Sequence, residues 1–126
     1  MTSTRGPSWY LSVETGQVAE RVVLVGDPER IELFADRLSG AERLTTDRAL
    51  RTVTGRYGGT RVTVCSFGMG APIAIVVLEE LAQLGARIAL RAGTVMTLGR
   101  VELGTLVLAH AAVGPGGFGL HPIQQR

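Results

Sequence analysis

Two apolar runs of this sequence end in an arginine set among small residues: Val22-Val23-Leu24-Val25 leads into Gly26-Asp27-Pro28-Glu29-Arg30, and Ile88-Ala89-Leu90 leads into Arg91-Ala92-Gly93-Thr94. Glycines let backbone N–H groups approach an anion closely, and a guanidinium offers a planar fork of donors that matches phosphate oxygens. The chemistry these residues suit is the holding of a phosphate. A third run ends in Gly68-Met69-Gly70-Ala71-Pro72 and opens a helical pattern, whose first N–H groups and dipole favour an anion or polar ligand. Ile73 stands where a dinucleotide fingerprint would need its last glycine. Each segment alone also has an ordinary structural reading. Asp27 would cap a helix with Arg30 solvated, and Arg91 would sit in an ion pair at a strand end. Taken together, three such ends could face one pocket beyond the carboxyl edge of an α/β sheet.

The elements that must position them follow from pattern. Residues 1 to 9 read as a loose arm, and residues 10 to 20 as an extended lead-in with a turn at Gly16. Arg21 to Val25 reads as a strand. Ile31, Phe34, Ala35 and Leu38 recur at helical spacing, which predicts an amphipathic helix with Pro28 in its first turn, ending near Gly40. Thr52 to Tyr57 and Thr60 to Ser66 flank Gly58-Gly59, the signal of a type I′ hairpin. Pro72 to Leu84 has proline at its start and Gly85 just past its end, as helices do. Its aliphatic residues cover most of the circumference, which predicts burial nearly all round in its N-terminal half. Arg87 to Leu90 and Leu106 to Ala112 complete a β-α-β alternation. From Gly114 the pattern gives way to a Gly/Pro-rich tail, expected to be disordered. The predicted organisation is a domain over residues 1 to 113 and a tail over 114 to 126.

Composition bounds the function. The 126 residues, 45% hydrophobic and 19% charged, fit one packed domain. The longest apolar stretch, Ala71 to Leu78, stops at Glu79-Glu80, short of the roughly 20 residues a membrane helix needs, so no membrane partner is expected. The first residues lack the apolar run of a secretory signal and Cys65 is the only cysteine, which points to the cytoplasm. All thirteen basic residues are arginines, scattered rather than in runs, and the few aromatics do not interleave with them; nucleic acid is not an expected partner. The absence of lysine excludes a Walker P-loop, a Schiff-base lysine and a Ser-Lys dyad. Cys65 reads as a buried, inert thiol. His110 and His121 show no metal-ligand spacing, so no metal is expected. Glu79 and Glu80 read as the solvated stripe of their helix.

Several of these segments, in order, resemble the nucleoside phosphorylase superfamily: the uridine phosphorylases, hexameric purine nucleoside phosphorylases and archaeal-type methylthioadenosine phosphorylases. The resemblance is carried by Val18-Ala19-Glu20-Arg21-Val22 running into Gly26-Asp27-Pro28-Glu29-Arg30, by Arg48, and by Thr54-Gly55-Arg56-Tyr57. It continues through Gly68-Met69-Gly70-Ala71-Pro72, Leu78-Glu79-Glu80-Leu81, Leu84-Gly85-Ala86 and Arg91-Ala92-Gly93-Thr94. It covers residues 10 to about 113. It implies an α/β fold, a mixed twisted sheet flanked by helices, and phosphorolysis of a nucleoside to free base and ribose 1-phosphate. It also implies that Gly26, Arg30, Arg91 and Thr94 hold phosphate, that Met69 lies beside the ribose, and that Arg48 is lent to the phosphate site of a neighbouring subunit. A homo-oligomer follows, with inorganic phosphate as co-substrate and no resident cofactor.

The departures from the family are specific. Tyr10 stands where the family usually has a histidine that reaches the sugar of an adjacent subunit; its hydroxyl can replace that contact, or the ring can serve packing alone. Val95-Met96 follow Thr94 where the family places a small residue and glycine near the base, which narrows or reshapes the base pocket or re-routes the loop. Family members extend well beyond this length, and their later half supplies the Met-Glu pair on the ribose hydroxyls, the base-recognition residues and, in purine enzymes, an aspartate acid. The expectation is a truncated chain carrying the phosphate half of the site, most like uridine phosphorylase, with a purine or methylthioadenosine enzyme as the alternative. A noncatalytic remnant that binds phosphate or a homologous subunit is the reading of another class.

Overall fold

The computed structural model describes residues 8–44 and 48–111. The chain forms two compact units, Met1–Gly93 and Thr94–Arg126. In the first unit the elements run β1 (Arg21–Val25), α1 (Arg30–Ala35), β2 (Ser39–Leu44), β3 (Thr52–Tyr57), β4 (Thr60–Ser66), α2 (Ala71–Gln83) and β5 (Ile88–Arg91). They build one five-stranded mixed sheet in the order β2-β3-β4-β1-β5. The β2-β3 and β3-β4 pairs are antiparallel, and β4-β1 and β1-β5 are parallel.

A strand flanked by parallel neighbours with helices on both faces needs apolar side chains on both faces, and β1 meets that demand with four consecutive aliphatics. Because side chains alternate, Val22 and Leu24 join one core cluster with Leu11, Cys65, Val77, Leu81 and Leu84, while Val25 joins another with Ile31, Ala35, Val53 and Val64. The first cluster is roofed by α2 and the second by α1. Each fully buried Leu or Val contributes about 1.5–3 kcal/mol.

The hairpin forms as the sequence predicts. Gly58 and Gly59 have φ of +53° and +79°, the pair of positive values a type I′ turn requires, and β3 registers on β4 from Tyr57↔Thr60 to Thr52↔Cys65. The helix opened by Pro72 also forms, and so does the turn at Gly16, where the Gln17 N–H donates to the Glu14 carbonyl at 3.1 Å.

Four expectations are corrected. Helix α1 is shorter than its periodicity suggests: it stops at Ala35, and Leu38 instead caps the turn by donating to the Ala35 carbonyl at 3.1 Å. The residues that follow form β2, which pairs with β3 across a bulge between Ser39 and Glu42. Burial of α2 is one-sided: Val77 and Leu81 are buried, whereas Ile75, Val76 and Leu78 are exposed, because the helix covers the sheet with one face only. Residues 106–111 form no strand; they alternate correctly, but a strand exists only through a paired neighbour, and none pairs with them among the described residues. Finally, Ser8 and Trp9 are not a loose arm, since the Ser8 N–H donates to the Val13 carbonyl and the Ser12 N–H to the Ser8 carbonyl, both at 2.9 Å. Residues 1–7 and the expected tail at 114–126 lie outside the described residues.

In the second unit, residues 94–111 carry turns around Gly99 and Gly104 and no helix or strand; the Thr105 N–H donates to the Glu102 carbonyl at 3.2 Å.

Candidate functional site

Three parallel strands lie side by side in the order β4-β1-β5, so their carboxyl ends share one edge of the sheet about 4.8 Å apart. The ladder continues past the strands. The Phe67 N–H donates to the Val25 carbonyl at 3.0 Å, the Gly68 N–H to the Gly26 carbonyl at 2.9 Å and the Ala92 N–H to the Leu24 carbonyl at 2.9 Å. These bonds bring Gly26, the Gly68-Met69 loop and Arg91 to one edge, as the strand-end pattern implied. A Cβ on Gly26 would lie 3.2 Å from the Gly68 carbonyl oxygen, so glycine is required there by the close approach of two backbones.

After Gly26 the chain turns tightly into α1. Asp27 Oδ1 accepts the Glu29 N–H at 2.9 Å and the Asp27 carbonyl accepts the Arg30 N–H at 3.1 Å. Asp27 thus shapes the turn before the helix without capping it, since the cap position belongs to Glu29. Arg30 is the first helical residue, one tight turn from Gly26, and half-buried. A cleft of ≈ 540 Å³ opens between Asp27-Pro28-Glu29 and Leu44, Ala49, Leu50 and Arg51.

Arg91 ends β5, and its guanidinium lies 5.8 Å from the Phe67 ring centroid. The same guanidinium folds over Gly93: a Cβ there would meet its atoms at 3.2–3.3 Å. Glycine at 93 leaves room for the charge. Met69 is almost fully exposed in the loop that enters α2, next to Gly70, which opens the helix at φ +99°. Thr94, Val95 and Met96 belong to the second unit and are exposed.

Arg48 and Tyr10 meet each other. The Arg48 guanidinium stacks 4.2 Å from the Trp9 ring centroid and 4.7 Å from that of Tyr10, and the two rings meet edge to face at 5.4 Å. Sequence reasoning did not foresee this cluster or the part of Trp9 in it, because residue 48 is separated from the pair by a whole β-α-β passage.

Glu80 was also misread. Rather than joining a solvated stripe, its carboxylate accepts the Tyr10 N–H at 2.7 Å and the Leu11 N–H at 2.8 Å. No local signal separates it from Glu79; the contact spans about 70 residues of chain. Cys65 is fully buried, and desolvation pushes its thiol up to about 11, as befits an inert core residue. Among the described residues no group of three His, Cys, Asp or Glu side chains could hold a metal ion. No described helix is long and apolar enough to cross a membrane.

The mixed sheet gathers glycine loops and arginines at the carboxyl edge of its parallel strands, the edge at which α/β proteins bind their ligands. The chain belongs to the phosphorylase superfamily, whose family model matches residues 20–124 and so runs beyond Val113, where the sequence reading ended the resemblance. It is 38% identical to a guanosine phosphorylase of Halorubrum lacusprofundi over 82% of its own length and 43% of the relative's. It is 36% identical to a uridine phosphorylase of Thermococcus kodakarensis over 86% of its own length and 39% of the relative's. The solved purine nucleoside phosphorylase of Toxoplasma gondii, in complex with immucillin-H, superposes with a TM-score of 0.69 and 32% identity, over 75% of this chain and 38% of that one. The chain therefore spans about two-fifths of the length of the curated relatives it matches.

Proposed function

We propose that this chain carries the phosphate-handling half of a nucleoside phosphorylase site, most like that of a uridine phosphorylase. One observation carries the reading: three glycine-bearing strand ends, with Arg91 on one and Arg30 a turn beyond another, lie side by side on one sheet edge. Gly26, Arg30, Arg91 and Thr94 hold inorganic phosphate, the co-substrate, and no resident cofactor takes part. Met69 and Tyr10 contact ribose, and Val95 and Met96 border the base.

In the reaction a phosphate oxygen forms a bond to the anomeric carbon as the bond to the base nitrogen breaks. The electron pair leaves with the base, which takes up a proton. The anomeric carbon becomes cation-like, so a phosphate dianion fixed by arginines and backbone N–H groups both stabilises and traps it. Tyr10 and Arg48 serve the site of an adjacent subunit in a cytoplasmic homo-oligomer; their meeting in one cluster, with Arg48 exposed and Tyr10 half-buried, supports donation as a unit.

The test is chromatography of base release from uridine, guanosine, inosine and methylthioadenosine, with and without phosphate. Phosphate-dependent release of uracil is expected; release of a purine base instead would assign the alternative substrate class. The length relative to the curated relatives favours a second reading, in which the chain binds phosphate or a homologous subunit without turnover. Calorimetric phosphate binding with no base release from any nucleoside would select it. Absence of turnover, of phosphate binding and of association with a homologous subunit would refute both readings.

A further inference from the structure

We infer that Glu80 is a positioning residue for Arg48, acting through the Trp9–Tyr10 turn. The inference rests on the reading that Arg48 serves a phosphate site. The turn is a small closed loop: Ser8 and Val13 pair through the 2.9 Å backbone bond, and Ser8 Oγ accepts the Val13 N–H at 3.1 Å. Leu11 is fully buried and fastens the loop to the core. Nothing in those bonds fixes which way the crown of the loop faces. Glu80 does so, because its two carboxylate oxygens accept two successive N–H groups, those of Tyr10 and Leu11, from the third turn of α2. Such a fork sets two successive peptide planes, Trp9–Tyr10 and Tyr10–Leu11, and with them the rings that flank Arg48.

A second observation points to the same place. Among the described residues only two other than glycine have positive φ, Ser12 at +52° and Ala49 at +59°. One lies two residues after Tyr10 and the other immediately after Arg48. Left-handed backbone at non-glycine residues persists only where surrounding structure imposes it, and such residues gather where geometry serves function. Both segments that form the cluster are therefore held in costly conformations. The guanidinium carbon lies within 4.7 Å of both ring centroids, so the two rings hold the charge between them.

The experiment uses the full chain and inorganic phosphate. Trp9 is the only tryptophan, so its emission and its quenching by acrylamide report the cluster directly. Arg48→Met sets the reference for a cluster without its cation. Glu80→Gln keeps the size of the side chain but presents an amide NH2 to one of the two N–H donors. The expected result is that Glu80→Gln shifts Trp9 emission and quenching to the Arg48→Met values and weakens phosphate binding roughly tenfold, the loss of one charge-assisted contact. The double variant is expected to lose no more than either single one, whereas a merely structural glutamate would add its loss to that of Arg48. Wild-type Trp9 emission in folded Glu80→Gln overturns the inference. If Glu80→Gln does not fold, Glu80→Asp, one methylene shorter, is read in the same way, with the same overturning result. Unchanged phosphate affinity in Arg48→Met, with Trp9 emission altered, would instead refute the role given to Arg48 and leave the positioning by Glu80 standing.

Discussion

Replacement of Thr63 by valine probes the bond chain that ties the lead-in to the sheet. The Ala19 N–H donates to Thr63 Oγ1 at 2.8 Å, the two hydroxyls of Thr63 and Thr54 lie 2.7 Å apart, and Thr54 Oγ1 donates to the Gln17 carbonyl at 2.8 Å. A hydroxyl has one proton, and that of Thr54 is committed to Gln17. The proton between the threonines must therefore come from Thr63. The result is a one-way relay: Ala19 N–H to Thr63, Thr63 to Thr54, Thr54 to Gln17. Thr63 is fully buried and Ala19 nearly so. Valine fills the same volume but leaves the Ala19 N–H unsatisfied, at a cost of about 1–3 kcal/mol. In urea unfolding followed by circular dichroism, the midpoint should fall by about 1 M with the slope unchanged. Thr54→Val should cost less, about 1 kcal/mol, since the Gln17 carbonyl keeps the Arg61 guanidinium at 3.1 Å. The double variant should cost less than the two single costs together, because removing Thr63 also removes the hydroxyl that Thr54→Val leaves without an acceptor. A neutral Thr63→Val, or strict additivity, would refute the relay.

Other positions test separate parts of the structure. A Cβ at Gly55 would lie 2.8 Å from Leu38 Cβ and 3.2 Å from the Ser39 carbonyl oxygen, so Gly55→Ala should destabilise by about 1–3 kcal/mol in thermal melts; an unchanged melting temperature would show that β2 does not pack as described. Gly93→Ala meets only the mobile end of Arg91, so stability should stay within about 0.5 kcal/mol while calorimetric phosphate affinity falls roughly tenfold; retained affinity would remove Arg91 from the anion site. Burial raises the Cys65 thiol from 9.0 to about 11, so the folded protein holds this proton more tightly than the unfolded chain. The associated stability is complete below pH 9 and is lost as pH rises from there to about 11. Urea midpoints over that range should decline in the wild type, and Cys65→Ala should lack that component; at pH 8 a thiol reagent should react only after unfolding, and prompt reaction with native protein would contradict the burial.

What the sequence made legible was whatever a short window determines. The β3-β4 hairpin is written in Gly58-Gly59 and its flanking alternation, and α2 in Pro72 and Gly85. Strand β2 is not written anywhere locally. Ser39-Gly40-Ala41-Glu42-Arg43-Leu44 has no β-branched residue and becomes a strand because β3 pairs with it. Residues 106–111 are the opposite case, with a strand-like alternation and no partner among the described residues. The site divides along the same line. The placement of Gly26, Met69 and Arg91 along one sheet edge was readable because each lies at or just beyond the end of a strand whose neighbours follow from a parallel β-α-β arrangement. Glu80 and the Arg48 stack were not, because each depends on a contact between remote segments that no periodicity encodes.

That division has a physical counterpart in how the two clusters are held. The strand-end cluster is fixed by main-chain bonds of the sheet, which no side-chain replacement other than proline removes; its sensitivity lies in steric room, at Gly26 against Gly68 and at Gly93 under Arg91. The Arg48 cluster hangs on side chains: a carboxylate fork, two aromatic faces and two left-handed residues. A phosphate contact inside one chain is well served by the first kind of support, since backbone N–H groups at a sheet edge need no adjustment. A contact delivered to another subunit cannot be built from a shared sheet edge, so it has to be carried outward on side chains and stiffened separately. On the proposal that Arg48 serves another subunit, the carboxylate fork and the two left-handed residues around it would supply that stiffening.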